Sequence, residues 1–285
     1  MIWIILSAAA VIFVSIALFS TFTLRTTHTE IAIKNLPKEF DGFRFVHISD
    51  LHNASFGKNN RRLVRRIKSC NPECVMLTGD VAGTSSYRHP ETSNMRPLCR
   101  GLNGIPIYAS LGNHELRLSD RYPELYRNQV RQIREDVSCL LDNSSVRLEK
   151  NGAHLNLYGL SLLGVRHSGS RPFRIPDGIF SRELKPRQGE TNILLAHIPQ
   201  FFPEYAKHNF DLVLSGHVHG GIIKLPFLGG LLSPERKLFP KYCYGVYEEN
   251  GSKMFVTAGL GKALIPFRFL CRPEVAEIVL KKSDN

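Results

Sequence analysis

The chain opens with one long apolar run and then settles into short apolar stretches, most of which stop at glycine or at a polar side chain. Ile2 to Leu24 contain no charged residue. At about 1.5 Å per residue this run forms a helix of about 35 Å, enough to cross a hydrocarbon core of about 30 Å with some tilt. A cleaved signal peptide is the competing reading, but it carries Lys or Arg before a shorter apolar core and ends at a small-residue cleavage site. Here the first basic residue is Arg25, followed by Lys34, Lys38 and Arg44. The pattern therefore predicts a single-pass anchor over residues 2–24, with residues 25–285 forming one domain on the cytoplasmic side.

Beyond the anchor the period shortens. Glu30 to Lys34 alternates like an edge strand, and Phe43 to Ser49 reads as a stronger strand that delivers Asp50 and His52. Asn59 to Cys70 has helical spacing, with Leu63, Val64 and Ile67 on one face and five basic residues around them. Cys74 to Thr78 is a buried strand stopping at Gly79-Asp80, and Ile105 to Leu111 is another, stopping at Gly112-Asn113-His114-Glu115. Tyr87 to Gly101 reads as a loop entering a short helix, and Tyr122 to Leu141 as a helix. Val146 to Val165 alternates in two runs about Asn151-Gly152, a hairpin signal. Arg171 to Glu190, rich in Pro, Gly and charge, reads as a loop or flap. Strands follow at Asn192 to Ala196, Asp211 to Ser215, Met254 to Ala258 and Val275 to Leu280. The alternation of strands and helices predicts an α/β fold whose central sheet is largely parallel or mixed.

Composition changes this picture in two ways. A net charge of +12 points to an acidic partner, whether a membrane surface, a phosphorylated substrate or nucleic acid. The six cysteines, Cys70, Cys74, Cys99, Cys139, Cys243 and Cys271, show no two-residue metal-binding spacing. On the cytoplasmic side they are expected to be reduced and mostly packed.

Candidate chemistry gathers at the strand ends. In a sheet of this kind ligands bind outside the carboxyl ends of the strands. Asp50, His52, Asp80, Asn113, His114, His197, His217 and His219 all fall there. Each has an ordinary explanation alone: Asp80 as a helix cap, Asn113 as a turn residue, His197 as a core histidine, and His217 and His219 as surface residues. Together, carboxylate, imidazole and amide without thiolate suit Mn, Fe or Zn. Seven of these eight as ligands would already exceed the needs of one catalytic ion and favour two, whose surplus positive charge suits a phosphate ester clamped between ions about 3.5–4 Å apart.

In order and spacing, Asp50-Leu51-His52, Gly79-Asp80, Gly112-Asn113-His114-Glu115, His197 and Gly216-His217-Val218-His219 resemble the five motifs of calcineurin-like metallophosphoesterases. The resemblance implies a sandwich of two mixed β-sheets flanked by helices, here preceded by one transmembrane helix. It further implies that Asp50, His52 and His219 hold one divalent transition ion, that Asn113, His197 and His217 hold a second, and that Asp80 bridges them. His114 is then catalytic, orienting the phosphate or assisting the leaving group.

Leu225-Pro226, Phe239-Pro240-Lys241-Tyr242, Gly259-Leu260-Gly261, Pro266, Arg268 and Arg272-Pro273-Glu274 are similar to a bacterial membrane-associated, YkuE-like branch. That branch includes phosphodiesterases and hydrolases of UDP-2,3-diacylglucosamine, which implies a phosphorylated lipid or lipid-linked nucleotide as substrate rather than nucleic acid. Val81-Ala82-Gly83, Val218 and Ile222 depart from the usual motif neighbours and leave substrate choice open. A nuclease and a metal-free scaffold of the same fold are the alternatives. Leu225 to Leu232 reads either as a buried hairpin turn or as an exposed surface for acyl chains, and Ala263 to Leu270 as a second apolar run offering Arg268 to a phosphate.

Overall fold

The computed structural model describes residues 1–82, 94–162, 175, 177–262 and 265–283, the side chains of 120 and 121 excepted. Helix α1 (Ile2–Phe22) is the uncharged run, and it ends where Thr23 turns extended. It leads directly into β1 (Arg25–Ile33), which starts five residues earlier than alternation suggested because Arg25 to Thr29 are polar on both faces. There follow β2 (Arg44–Ile48), α2 (Arg61–Ser69), β3 (Cys74–Thr78), α3 (Met95–Gly101) and β4 (Ile107–Ser110). Next come α4 (Asn113–Arg121), α5 (Pro123–Asp136), β5 (Cys139–Leu140) and the hairpin of β6 (Ser144–Lys150) with β7 (Ala153–Leu160). The hairpin turns at Asn151 and Gly152, both at positive φ as a two-residue turn of this type needs. The chain continues through β8 (Asn192–Ala196), α6 (Phe202–Tyr205) and β9 (Leu212–Ser215) to a small hairpin, β10 (Lys224–Leu225) with β11 (Gly229–Gly230). It closes with β12 (Gly245–Glu249), β13 (Ser252–Val256) and β14 (Glu274–Lys282).

There are two main sheets rather than one central sheet. The first has the order β1-β14-β2-β3-β4-β5, the second β12-β13-β9-β8-β7-β6, and both mix parallel and antiparallel pairs. Alternating hydrophobicity gives each strand's facing but not the points where the chain changes sheet, which fall between β5 and β6 and again between β13 and β14. Phe45, Met76 and Ile278 of the first sheet meet Leu157, Leu195 and Leu214 of the second in the core between them. The outer face of the first sheet packs on Leu63 and Ile67 of α2, Leu98 of α3 and Ile133 of α5. That of the second packs on Phe180, Phe202 and Tyr205. The layers are thus helix, sheet, sheet, helix.

Two of the expected segments, Tyr122–Leu141 and Arg171–Glu190, need revision. Residues 113–121, marked in the sequence only by the strand end before them, form α4, and Pro123 then starts α5 at the position where its missing N–H costs nothing. Residues 171–174 and 176 lie outside the described residues, and Phe180–Leu184 form a helical turn rather than open loop.

The register also decides where α1 leaves the sandwich. β2 and β3 run parallel with their carboxyl ends at the Asp50 and Asp80 edge, β14 runs against β2, and β1 runs with β14. The first residue of β1, Arg25, pairs with Glu274 at that same edge. Helix α1 therefore departs beside the strand ends that carry the candidate chemistry.

Candidate metal centre

Asp50 follows β2, and a buried carboxylate there accepts the backbone N–H of His217 with both oxygens, at 3.1 and 3.0 Å. This ties the loop after β9 to the end of β2. Gly216 makes the approach possible, because a Cβ there would collide with Ser49 Oγ and Asp50 Oδ2. Asp80 follows β3 and accepts the N–H of His114 at 2.8 Å. Burial acts to raise the Asp80 carboxyl, and His114, His197 and His52 outweigh it, holding the group well below the usual range. Asp50, His52, Asp80, His217 and His219 all lie at positive φ, where non-glycine residues are uncommon. Residues held in such conformations cluster at functional sites.

The imidazoles converge on the two carboxylates. His52 Nε2 is 3.9 Å from Asp50 Oδ1 and 3.8 Å from Asp80 Oδ2. His219 Nε2 is 3.5 Å from Asp50 Oδ1 and 3.3 Å from His52 Nε2. His197 Nε2 is 3.1 Å from Asp80 Oδ2, but without hydrogen-bond alignment. Its other nitrogen, Nδ1, donates to Thr78 O at 2.6 Å, and His52 Nδ1 meets Ala82 O at 3.3 Å. Carbonyls behind two of the rings thus leave Nε2 facing the carboxylates. Burial acts to lower the His197 pKa, yet Asp80 and Asp50 raise it to about 10. Something positive has to stand between that nitrogen and the carboxylates, either a proton or a cation.

These observations fit divalent ions. Asp50, His52 and His219 present ligand atoms within 4.8 Å of one another, and so do Asp80, His197 and His217. A third overlapping group is His52, Asp80 and His114. Asn113 is buried with neither side-chain oxygen nor nitrogen partnered, and His197 Nε2 is likewise unpartnered. Buried polar atoms without partners are uncommon and need an explanation, which an ion supplies. His114 differs from the rest: its side chain is 20% exposed, against 6% for His52 and less for His197, His217 and His219. Burial lowers its pKa to about 3, so it is neutral near pH 7 with a ring open toward solvent.

Of three supporting residues, sequence patterns missed Glu235, named Glu115 without a role and gave Arg268 a different one. Glu115, buried, accepts the backbone N–H groups of Gly112, Asp80, Val81 and Ala82, at 2.8, 2.9, 2.9 and 3.1 Å, and so fixes the loop that carries Asp80. Only its place beside Asn113-His114 hinted at a role. Glu235, with its side chain 27% exposed, bonds His217 Nε2. Burial acts to raise its carboxyl and the bond to His217 brings it down to about 2. Arg268 was expected to face a phosphate, and here the structure differs. The guanidinium is buried, donating to Ala258 O and Gly261 O, with Nη2 3.3 Å from His219 Nδ1. A buried cation needs such partners, and they leave this one behind the site rather than in it. The cysteines are packed as expected, five buried and Cys139 half-buried, all free thiols.

Residues 43–221 match the calcineurin-like phosphoesterase family. The metallophosphoesterase YkuE of Bacillus subtilis (strain 168) is 28% identical over 279 residues, which cover 92% of this chain and 87% of that protein. A transmembrane protein with a metallophosphoesterase domain from Danio rerio is 28% identical over 276 residues, 91% of this chain and 58% of that protein. The UDP-2,3-diacylglucosamine pyrophosphatase LpxG of Chlamydia trachomatis serovar D is 24% identical over 299 residues, covering 85% of each. With a matched segment spanning five strand ends and the carboxylate–imidazole cluster they build, this chain belongs to the calcineurin-like phosphoesterase family and is a hydrolase acting on phosphate esters.

Proposed function

We propose that the chain is a membrane-anchored, two-metal phosphoesterase acting on a phosphorylated lipid or a lipid-linked nucleotide. The observation that carries this reading is the shared edge: α1, long and apolar enough to cross a membrane, leaves the sandwich where the candidate ligands converge. LpxG, named for a diacylated nucleotide sugar, gives the lipid-linked reading a relative of the same family.

In this reading Asp50, His52 and His219 hold one ion, Asn113, His197 and His217 the other, and Asp80 lies between. Bound divalent ions supply Lewis-acid polarisation of a phosphoryl oxygen and a nucleophile at neutral pH. The chain's own part is positional. Glu115 and Asp50 fix the loops, Thr78 and Ala82 aim two rings, and neutral His114 offers an N–H to a phosphate or leaving-group oxygen. The basic residues Arg25, Lys34 and Lys38 after α1 support a cytoplasmic side for the sandwich.

The test is a comparison of turnover numbers for the full chain in mixed micelles. A diacylated UDP-sugar or a phosphatidyl ester is expected to be cleaved far faster than the same headgroup without acyl chains. Equal rates would reject the lipid substrate. Elemental analysis of the purified protein is expected to give close to two transition ions per chain. One ion with full activity would reject the two-ion site.

A further inference from the structure

The segment 265–272 runs as a strap between α1 and the metal centre. Its backbone donates to the last turn of α1, Arg268 N–H to Thr21 Oγ at 2.9 Å and Leu270 N–H to Ser20 Oγ at 3.1 Å. Its side chains reach further along the helix. Phe269 stacks on Phe13 with ring centroids 4.9 Å apart, and Phe267 meets the same ring edge-on at 6.3 Å. Phe13 stands nine residues before Phe22, about 13 Å along the axis. Lys262 lies over the Phe22 ring and Arg272 over the Phe19 ring, cations at the height where a headgroup layer begins. A strap that touches the middle of a membrane-spanning helix has to sit below that height, among acyl chains.

The small hairpin is joined to the strap. Lys224 N–H donates to Phe269 O at 2.9 Å, and Ile223 bridges Phe269. At its tip Phe227 is fully exposed and Leu228 is 66% exposed, with Phe227 at φ 66. A bulky aromatic at positive φ and in water carries both a backbone and a hydration cost. Leu238, Phe239 and Leu270 add further exposed apolar surface beside it. Close to them in the chain, Lys224, Arg236, Lys237 and Lys241 bring positive charge, complementary to anionic headgroups.

We infer that the β10–β11 tip, together with the strap, is a second membrane contact that inserts into the same leaflet as the C-terminal half of α1. The occupant of this exposed apolar face is a lipid leaflet, and the metal centre then opens at headgroup level. This rests on the reading of α1 as a membrane span.

Tryptophan fluorescence in vesicles of phosphatidylcholine and phosphatidylglycerol, with or without chain-brominated phosphatidylcholine, tests it on the full chain. The chain has one tryptophan, Trp3, which reports α1 in the native protein. Trp3→Phe with Phe227→Trp reports the hairpin tip, and Trp3→Phe with Leu228→Trp repeats the measurement should position 227 tolerate tryptophan poorly. Interfacial insertion at about 5–10 Å places the indole among upper chain carbons, so roughly half or more of the emission should be lost to bromine. Aqueous acrylamide should have little effect on it. Quenching of the tip by acrylamide and not by bromine, with Trp3 still quenched by bromine, would overturn the inference and leave the anchor standing. Protection from both quenchers would overturn it in favour of a protein partner or a second copy on this face. Loss of bromine quenching at Trp3 as well would overturn the anchor itself.

Discussion

His217 and His219 stand two residues apart in one loop, and each belongs to a different half of the proposed two-ion site, but the groups behind the two rings are opposite in charge. Behind His217 the Glu235 carboxylate takes the Nε2 side of the ring. A carboxylate in that place makes the opposite ring nitrogen a better donor to a metal. Behind His219 stands Arg268, which has donors only. Burial, His52 and Arg268 together hold the His219 pKa well below its ordinary value, a mark of a poorly basic ring. The motif Gly-His-Val-His looks symmetrical as a string of letters. In the proposed two-ion site it would supply a stronger ligand to one ion and a weaker one to the other, so the ion held by Asp50, His52 and His219 is expected to be the more easily lost.

Four variants break or sharpen that comparison. The largest effect is expected from Asp80→Ala, which removes the one group common to both halves. Both ions and all measurable turnover should go together, as read by elemental analysis and a phosphodiester assay; retention of one ion would mean that the halves do not share it. Next, His114→Ala should keep both ions and lower turnover by roughly 10²–10⁴-fold, the range for a positioned proton donor. If it strips an ion instead, its proximity to Asp80, 3.6 Å from Nε2 to Oδ2, reflects ligation. Glu235→Gln should weaken only the ion beside His217, by roughly 10–100-fold, in a metal titration that resolves two binding steps. An equal loss at both steps would show that the loop, not the charge, matters. Smallest is Arg268→Gln, which keeps a donor and drops the charge. The ion beside His219 should then bind more tightly, by less than about tenfold, a gain of under about 1.4 kcal/mol. Weaker binding would mean that Arg268 acts by holding the strap rather than through its charge.

Much of the site could be read from the chain itself, for a physical reason. A short apolar run that stops at a glycine and then shows Asp, Asn or His marks a strand end where close backbone approach and polar chemistry coincide. Asp80, Asn113 and His217 announce themselves this way, and Asp50 and His197 by the strand end alone, after Ser49 and Ala196. Glu235 does not, because it reaches the cluster across a loop of no fixed length among residues with no periodicity, and Arg268, read as a phosphate contact, gave no sign of its buried place behind His219. β12 escaped notice for a related reason. Gly245–Glu249 is half polar and pairs on only one side, with β13, so nothing in its composition separates it from a turn. The hairpin tip was legible as two alternatives, buried or exposed. The strand pair at Lys224–Leu225 and Gly229–Gly230 leaves Phe227 and Leu228 outside and Leu225, Leu231 and Leu232 half-covered. Ala263 and Leu264 lie outside the described residues.

The position of β14 between β1 and β2 has a consequence for biogenesis. β14 comes after every other strand in the chain, yet it fills the gap beside the first strand to be made. On the proposed reading of α1 as an anchor, α1 would reach the bilayer during synthesis while β1 still lacks its neighbour. Gly259, whose missing Cβ leaves space for Asp50, and Arg268, which backs His219, also come late. Glu274 then locks the junction, its carboxylate taking Arg25, Thr27, Tyr244, Thr257 and the Ala258 N–H. With α1 as the proposed anchor, the nascent chain would complete its reactive centre only after delivery, and an active hydrolase would not be set free on the way to the membrane.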